Sequence, residues 1–270
     1  MDIKEKIFRQ NANLLRVRIL ELIHKTKASH IGSIYSCLDI IFFLYTQIIK
    51  FKKKKANHDF ILSKGHSGLA LYVSLAHLKI INQENLDTYY TNGSKFSGHV
   101  SHHNIPGIDF STGSLGHGLS IGCGLAFGNM LRKNNKITYV LMSDGECDEG
   151  SVWEAAMFAS HHKLNNLVCI VDYNKLQSLR KVKETLNLEP FADKWKSFGW
   201  IVKEIDGHNF KSLKEVFLKK KISKPLCILA HTIKGKGVSF MENSVLWHYR
   251  SPNDLEFELA KKELQKAIHN

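Results

Sequence analysis

The sequence predicts an α/β fold, a mostly parallel sheet with helices on both faces. Two apolar runs, residues 137–142 and 167–171, are typical of buried strands, and residues 151–162 between them have the periodicity of one helix. Strands joined through a helix lie parallel in one sheet, so their carboxyl ends meet at the same edge. A short polar motif follows each strand there, where open α/β sheets bind ligands.

The chain before this unit is predicted to be largely helical. Residues 1–27 form an amphipathic helix that carries charges throughout, and residues 36–49 are typical of a buried helix. Residues 59–63 are predicted to form a first short strand. A stretch rich in Gly, Ser and His, residues 98–118, leads into an apolar helix over residues 120–131.

The chain after the unit supplies the remaining elements. Strands are predicted at residues 200–205 and 226–230, and loops at 174–188 and 232–249. One helix is predicted at 191–198, a second follows a turn at 206–209, and a third runs from 251 to about 268. No internal repeat, low-complexity segment or linker divides the 270 residues. We therefore predict a single domain over residues 1–270, with helical extensions at both ends.

Composition predicts a protein with reduced thiols. The five cysteines are odd in number, widely spaced and without a C-x-x-C pair, which is typical of a cytoplasmic protein and argues against a disulfide framework or a zinc site. The amino terminus has no secretory core region. The most apolar window, residues 40–44, is too short to span a membrane.

The formal net charge of +13 raises the question of nucleic-acid binding. The excess is mostly scattered lysine, and the densest run is residues 52–55. No helix-turn-helix, zinc finger or platform of aromatic and arginine side chains accompanies it. We interpret the charge as a solvated surface that also attracts phosphorylated sugars, and keep a nucleic-acid-binding protein as an outside alternative.

The two motifs at the strand ends predict a metal-held diphosphate. Asp144 follows the first strand of the unit and Asn174 follows the second. One carboxylate and one amide oxygen are too few for an all-protein metal site, but they suit Mg²⁺, which completes its octahedron with waters and phosphate oxygens. The pair therefore indicates a cofactor with a diphosphate group.

Glycines and histidines strengthen this interpretation. Residues 112–118 form a Gly-rich run before a helix, where backbone amides can approach a phosphate. Several of the fifteen histidines lie beside glycine at loop ends, namely His30, His66, His99, His117 and His248. None forms an H-E-x-x-H pair, so a zinc site is not indicated. Imidazoles at these positions are suited to proton transfer at a sugar.

The spacing of Asp144, Gly145 and Asn174 resembles the thiamin diphosphate motif, which usually begins with Gly where this chain has Ser143. Over nearly its whole length the chain resembles the amino-terminal, diphosphate-binding half of transketolase, and most of all the amino-terminal subunit of a split transketolase. The supporting segments are residues 29–32, 62–66, 97–99, 112–118, 143–154, Asn174 and 247–249. Ile31 stands where Pro is common in that family. Neither this departure nor Ser143 removes a functional side chain.

The resemblance implies a thiamin-diphosphate-binding fold, with ketol transfer as the reaction. The implied cofactors are thiamin diphosphate and Mg²⁺, or Ca²⁺ or Mn²⁺ in place of Mg²⁺. The implied metal ligands are Asp144, the Asn174 side chain and the Leu176 carbonyl. Implied cofactor contacts are His66, Gly113, Ser114, Leu115, Asp144, Gly145, Glu146, Asn174, Ile233 and His248. Implied catalytic residues are His30 and His99 at the sugar hydroxyls, His66 and His248 at the reacting centre, and Glu149 and Glu154 facing the partner domain.

The resemblance also implies a partner. The second half of transketolase supplies the pyrimidine-binding domain and the arginines that bind the sugar phosphate, so an α2β2 heterotetramer is expected. Three alternatives stay open besides nucleic-acid binding. A 2-oxo-acid dehydrogenase subunit lacks the early Ser-His-x-Gly and Gly-His pairs, deoxyxylulose-phosphate synthase normally carries all domains in one chain, and a non-catalytic cofactor-binding protein is expected to lose metal ligands or histidines.

Overall fold

A five-stranded sheet lies at the centre of the protein. The computed structural model describes residues 3–52, 55–218 and 223–269. The strands of the sheet are β3 (Asp59–Leu62), β4 (Thr138–Ser143), β5 (Leu167–Tyr173), β6 (Ile201–Asp206) and β7 (Leu226–His231), and a separate antiparallel pair consists of β1 (Phe51–Lys52) and β2 (Lys55–Ala56). The strand order of the sheet is β3-β4-β5-β7-β6, and every neighbouring pair is parallel. The predicted parallel sheet is confirmed.

Helices cover both faces of the sheet. They are α1 (Ile3–Thr26), α2 (Ile31–Phe43), α3 (Gly68–His77), α4 (Gly118–Leu131), α5 (Gly150–His161), α6 (Val182–Thr185), α7 (Phe191–Ser197), α8 (Phe210–Phe217) and α9 (Asp254–His269). Successive strand residues point to opposite faces. In β4, Tyr139 and Leu141 join the core under α1, α2, α3, α8 and α9, whereas Val140 and Met142 join the core under α4, α5 and α7. Both faces are therefore buried, as the apolar strands predict.

One predicted boundary was wrong, and one helix was missed. Helix α2 begins at Ile31, five residues before its predicted start, because Gly32 allows close packing: a Cβ there would lie 3.2 Å from the Trp247 carbonyl oxygen. Helix α3 was not predicted at all. All its residues except His77 are buried, so it has no polar face and no amphipathic period.

The described residues contain one helical stretch, Ile31–Ile48, that is long and apolar enough to cross a membrane. It comprises α2 and a π-helical turn, Leu44–Ile48, and 83% of it is buried inside the protein. A core helix passes the same test of length and composition. Two residues of the lysine run at 52–55 lie outside the described residues.

Candidate functional site

The carboxyl ends of β4 and β5 bring Asp144 and Asn174 together. The two strands are neighbours in register, with Ser143 opposite Asp172. The backbone amide of Lys175 donates to Asp144 Oδ2 at 2.5 Å, and that of Gly145 donates to Oδ1 at 2.8 Å. A cavity of about 190 Å³ opens at this edge of the sheet. Its lining includes seven of the predicted residues, His66, Leu115, Asp144, Gly145, Asn174, Leu176 and His248.

Asp144 is a buried carboxylate without an ion-pair partner among the described residues. Its exposed fraction is 1%. Burial, and then the charge of Asp172, raise the pKa of Asp144 to about 7, although hydrogen bonds from the Gly145 and Lys175 amides oppose the rise. A cation bound at this carboxylate would remove that penalty. The described residues hold no group of three His, Cys, Asp or Glu suited to a metal, so such a cation needs amide, carbonyl, phosphate or water oxygens as further ligands.

Asn174 and Leu176 supply such oxygens. The Asn174 side chain accepts from the Leu176 amide at 3.0 Å and donates to Asp172 at 3.4 Å, which identifies its oxygen and nitrogen ends. The Leu176 carbonyl faces the ammonium of Lys234 at 3.4 Å. The three predicted metal ligands therefore lie around one cavity, and their role as ligands stays a prediction.

A buried ion pair that sequence reasoning missed lies beneath the cavity. Lys64 and Asp172 are both fully buried and pair through Nζ and Oδ2. The Ser36 hydroxyl donates to Asp172 at 2.5 Å, and the Thr232 hydroxyl donates to its other oxygen. Burial alone would raise the pKa of Asp172, but Lys64 and these hydroxyls hold it below its ordinary value. The only sequence signal was an acidic residue directly after the apolar strand predicted at 167–171. The observed strand β5 continues through it to Tyr173 and so buries it.

Four histidines cluster at the mouth of the cavity. The ring centroids of His30 lie 5.2 Å from His66, 5.0 Å from His248 and 5.7 Å from His99. His30 adopts a left-handed backbone with φ of 76°, an uncommon conformation for a residue with a Cβ, and its amide donates to the His248 carbonyl at 2.7 Å. Thus the structure brings together all four histidines that the resemblance selects, and His117 lies apart with its ring on the Leu115 carbonyl.

Burial keeps three of these imidazoles neutral. Burial, followed by the charges of His99 and Lys234, lowers the pKa of His30 to about 4. Burial and Lys234 lower the pKa of His248 to about 3, and burial and Lys64 also lower the pKa of His66. Near pH 7 these rings are neutral, so each can donate one proton and accept another.

Lys234 is a further residue that sequence reasoning missed. Its side chain lines the cavity, and its exposed fraction is 1%. The ammonium donates to the Gln177 carbonyl at 2.9 Å and to His248 Nδ1 at 3.0 Å, but no carboxylate pairs with it among the described residues. Burial, and then repulsion from Lys64, lower the pKa of Lys234 to about 8. A buried ammonium of this kind is suited to an anionic ligand.

The Gly-rich run is held by protein oxygens. The Gly116 amide donates to Glu146 Oε1 at 2.9 Å, and the Gly118 amide donates to the Ser63 hydroxyl at 3.1 Å. The interpretation of this helix start as a phosphate site is therefore not supported for these two amides. The Glu146 side chain is fully buried against the loop and does not line the cavity, so its predicted contact with the cofactor stays a prediction.

The remaining predicted residues lie beside the cavity or away from it. Gly113 lies against His99, where a Cβ would be 3.1 Å from the imidazole. Ser114 is exposed on the same loop. Ile233 is half-buried, and its amide donates to His208 Nε2 at 2.9 Å. Glu149, the residue before α5, and Glu154 on α5 are both exposed, and nothing in the described chain tests whether they face a partner.

Comparison with known proteins identifies the relatives of this fold. Residues 7–266 match the model of the family described as "Transketolase, thiamine diphosphate binding domain". The chain is 42% identical over 259 residues to one subunit of the apulose-4-phosphate transketolase of Phocaeicola vulgatus, with 94% of this chain and 92% of that one covered. It is 38% identical over 261 residues to a 6-deoxy-6-sulfo-D-fructose transketolase subunit of a Clostridium species, with 94% and 95% covered.

Longer relatives match over part of their length. The chain is 33% identical to human transketolase across 91% of its own residues but only 40% of the human protein. The crystal structure of transketolase from Campylobacter jejuni superimposes with a TM-score of 0.88 at 27% identity, and the match covers 98% of this chain and 43% of that chain. The chain therefore spans about two fifths of these longer enzymes.

Proposed function

This chain belongs to the transketolase family, in its thiamin-diphosphate-binding domain, and from that membership we propose that it is the diphosphate-binding subunit of a split transketolase. The reaction is transfer of a two-carbon ketol unit from a ketose to an aldose. The observation that carries the proposal is the buried Asp144 carboxylate, which has no ion-pair partner within the described ranges. It lies beside Asn174 and Leu176 in a cavity that His66 and His248 also line.

The residues present fit the cofactor that the family implies. Asp144, the Asn174 amide oxygen and the Leu176 carbonyl would hold Mg²⁺, or Ca²⁺ or Mn²⁺ in its place, because hard cations take oxygen ligands. The Lys234 ammonium and the His66 imidazole would contact the diphosphate, whose charge would compensate the buried cation. Thiamin diphosphate, when bound, supplies the carbanion stabilisation that cleavage of a carbon–carbon bond needs.

The histidines of this chain perform the proton transfers and bind the sugar in this proposal. His30 and His99 bind the sugar hydroxyls at the mouth of the cavity, while His66 and His248 act at the reacting centre. The pKa values of His30, His66 and His248 lie below the ordinary value, which leaves these rings neutral and able to exchange protons near pH 7. Burial of the cavity floor excludes water there.

Assembly completes the site in this proposal. The Phocaeicola and Clostridium relatives are themselves named as subunits of transketolases, and the chain spans only two fifths of the longer transketolases. We propose that a second chain supplies the pyrimidine-binding domain and that the assembly is an α2β2 heterotetramer in the cytoplasm. In it, this chain is one diphosphate-binding domain, with Glu149 and Glu154 facing the partner. The five cysteines are free and buried, which suits reducing surroundings.

The substrate class follows from charge. The relatives' names specify a phosphorylated sugar and a sulfonated sugar, both with an anionic end. A second cavity of about 820 Å³ adjoins the first at Asn174 and Leu176, and Lys175, Lys181 and Lys183 are among its lining residues. We infer that the substrate is a ketose with an anionic end, attracted by these lysines.

The test is reconstitution with the second chain. The purified protein with thiamin diphosphate and Mg²⁺ is expected to show negligible ketol transfer, and addition of the partner is expected to restore it. In the complex, Asp144→Ala should abolish cofactor retention, measured by calorimetry, whereas the control Asp193→Ala on the surface of α7 should not change it. Ketol transfer by the chain without a second polypeptide would refute the proposal of a split enzyme.

A further inference from the structure

A histidine outside the cavity holds the loop that carries Lys234. The Ile233 amide, next to Lys234 in the chain, donates to His208 Nε2 at 2.9 Å. On the other side of the ring, His208 Nδ1 lies 2.6 Å from Asp39 Oδ2. The imidazole therefore bridges helix α2 and the loop after β7, and it does not line the cofactor cavity.

The hydrogen bonds define the state of this ring. A backbone N–H can only donate, so Nε2 must present a lone pair to Ile233. The proton of the neutral ring then lies on Nδ1 and is donated to Asp39. An imidazolium has no lone pair and would lose the bond to Ile233, so the arrangement requires the neutral Nδ1–H tautomer.

Arg16 holds the other end of the bridge. Its guanidinium pairs with Asp39 Oδ2 at 2.6 Å, and both side chains are buried. The same guanidinium donates through Nε to the Lys236 carbonyl at 3.0 Å. Ile233 and Lys236, which lie on either side of Lys234, are thus attached to one buried carboxylate on α2, the first through His208 and the second through Arg16.

We propose that His208, oriented by Asp39 and Arg16, is a positioning residue that fixes the backbone at Ile233 and so directs the Lys234 ammonium into the cofactor cavity. The inference rests on the proposed function for the meaning of that cavity. The loop has one further backbone contact with α2, from the Gly235 amide to the Gly32 carbonyl at 2.9 Å. With His208 removed, the Ile233 amide would lose its acceptor. The Thr232 amide, bonded to the Tyr173 carbonyl at 3.3 Å, and the Gly235 bond and Arg16 would still anchor the loop on either side of that amide.

The first measurement concerns the wild-type full chain. Long-range ¹H–¹⁵N spectra of the histidine rings report the tautomer directly, and they need neither cofactor nor partner. We expect His208 to be the neutral Nδ1–H tautomer. A Nε2–H tautomer, or an imidazolium at pH 7, would overturn the proposal.

The second measurement tests the direction of Lys234. His208→Leu removes the acceptor, whereas His208→Gln places an amide oxygen close to the position of Nε2 and can still accept from Ile233. Acetylation followed by mass spectrometry should show Lys234 labelled at least fivefold faster in H208L than in the wild type, with H208Q close to the wild type. Lys64, which is equally buried but lies on another element, is the internal control.

Labelling of the two lysines separates positioning from general loosening. Equal acceleration at Lys64 and Lys234, or equal behaviour of H208L and H208Q, would show a merely structural role. The matched control is His231→Leu, which removes a histidine paired with Glu204 at 2.9 Å and located two residues from Ile233. This control should leave the labelling of Lys234 unchanged.

The last measurement connects the loop to the cofactor. Affinity for thiamin diphosphate with excess Mg²⁺ is measured on the complex with the second chain for H208L, Lys234→Met and the double variant. If His208 acts through Lys234, each single variant weakens binding about tenfold and the double variant is little weaker than K234M. A double variant whose loss of affinity is the product of the two single losses would overturn the inference. A wild-type complex that does not bind the cofactor would contradict the proposed function, while the tautomer and labelling results would still decide the role of His208.

Discussion

Replacement of Asp172 by asparagine tests the ion pair beneath the cavity. The change keeps the shape of the side chain, so it removes a charge without opening a hole in the core. Lys64 would then retain the Ser33 carbonyl, at 3.2 Å, as a neutral partner, and its ammonium would stay fully buried. The reverse change, Lys64→Met, leaves Asp172 with the Ser36 and Thr232 hydroxyls.

These contacts set the size of the effect. Breaking a buried ion pair by removal of one partner costs about 3–5 kcal/mol, because a charge is left uncompensated. We expect Asp172→Asn to lower the free energy of unfolding by an amount near the upper end of this range. Lys64→Met should cost an amount near the lower end, since two hydroxyls remain to donate to the carboxylate. For a chain of this size each kcal/mol corresponds to roughly 2–4 °C in Tm, so the losses are on the order of 10 °C. The double variant K64M/D172N has no unpaired charge and should lose less than the two single variants together.

Urea denaturation of the isolated chain, followed by circular dichroism, measures these free energies of unfolding. The control is Lys196→Met, which breaks the exposed pair with Asp193 and should not measurably shift the midpoint. A D172N variant that loses less than about 1 kcal/mol would refute the reasoning, as would strict additivity in the double variant, because buried paired charges must couple.

Three further predictions follow from the site. Lys234→Met should weaken cofactor binding in the complex without lowering the urea midpoint, because its buried ammonium has no carboxylate partner among the described residues; a lower midpoint would contradict this. The pKa values of His30 and His248 in the folded chain are about 4 and 3, so as the pH falls the unfolded chain binds protons first. The urea midpoint should therefore fall as the pH drops from 6.5 toward 4. Glutamine at both positions should flatten this dependence of the midpoint on pH, and an unchanged dependence would contradict the prediction. A Cβ at Gly65 would overlap the backbone at the start of the Gly-rich run, so Gly65→Ala should reduce ketol transfer in the complex at least tenfold. The control Gly124→Ala, where nothing lies within 4 Å of the added Cβ, should not reduce it. Equal activities of the two variants would contradict the predicted clash.

The strands and the pairing of Asp144 with Asn174 could be predicted because both depend on local pattern. A buried parallel strand is a continuous apolar run, and a helix between two such runs forces their carboxyl ends to one edge of the sheet. The spacing of thirty residues therefore implied proximity before any contact was known. The order β3-β4-β5-β7-β6 was not predictable in this way, since it depends on which strand edges pair after the chain has crossed the sheet.

The charges that surround the cavity were decided only by the tertiary structure. Lys64 and Asp172 are 108 residues apart, and His208 lies 169 residues from Asp39 and 25 from Ile233. The local sequence around one partner does not predict which residue the other partner is. A buried charge is stabilised by groups that are close in space, whatever their separation along the chain. The sequence by itself determined most of the elements and the motif residues at their ends. Packing decided which buried groups are paired and which, like Asp144 and Lys234, have no ion-pair partner among the described residues.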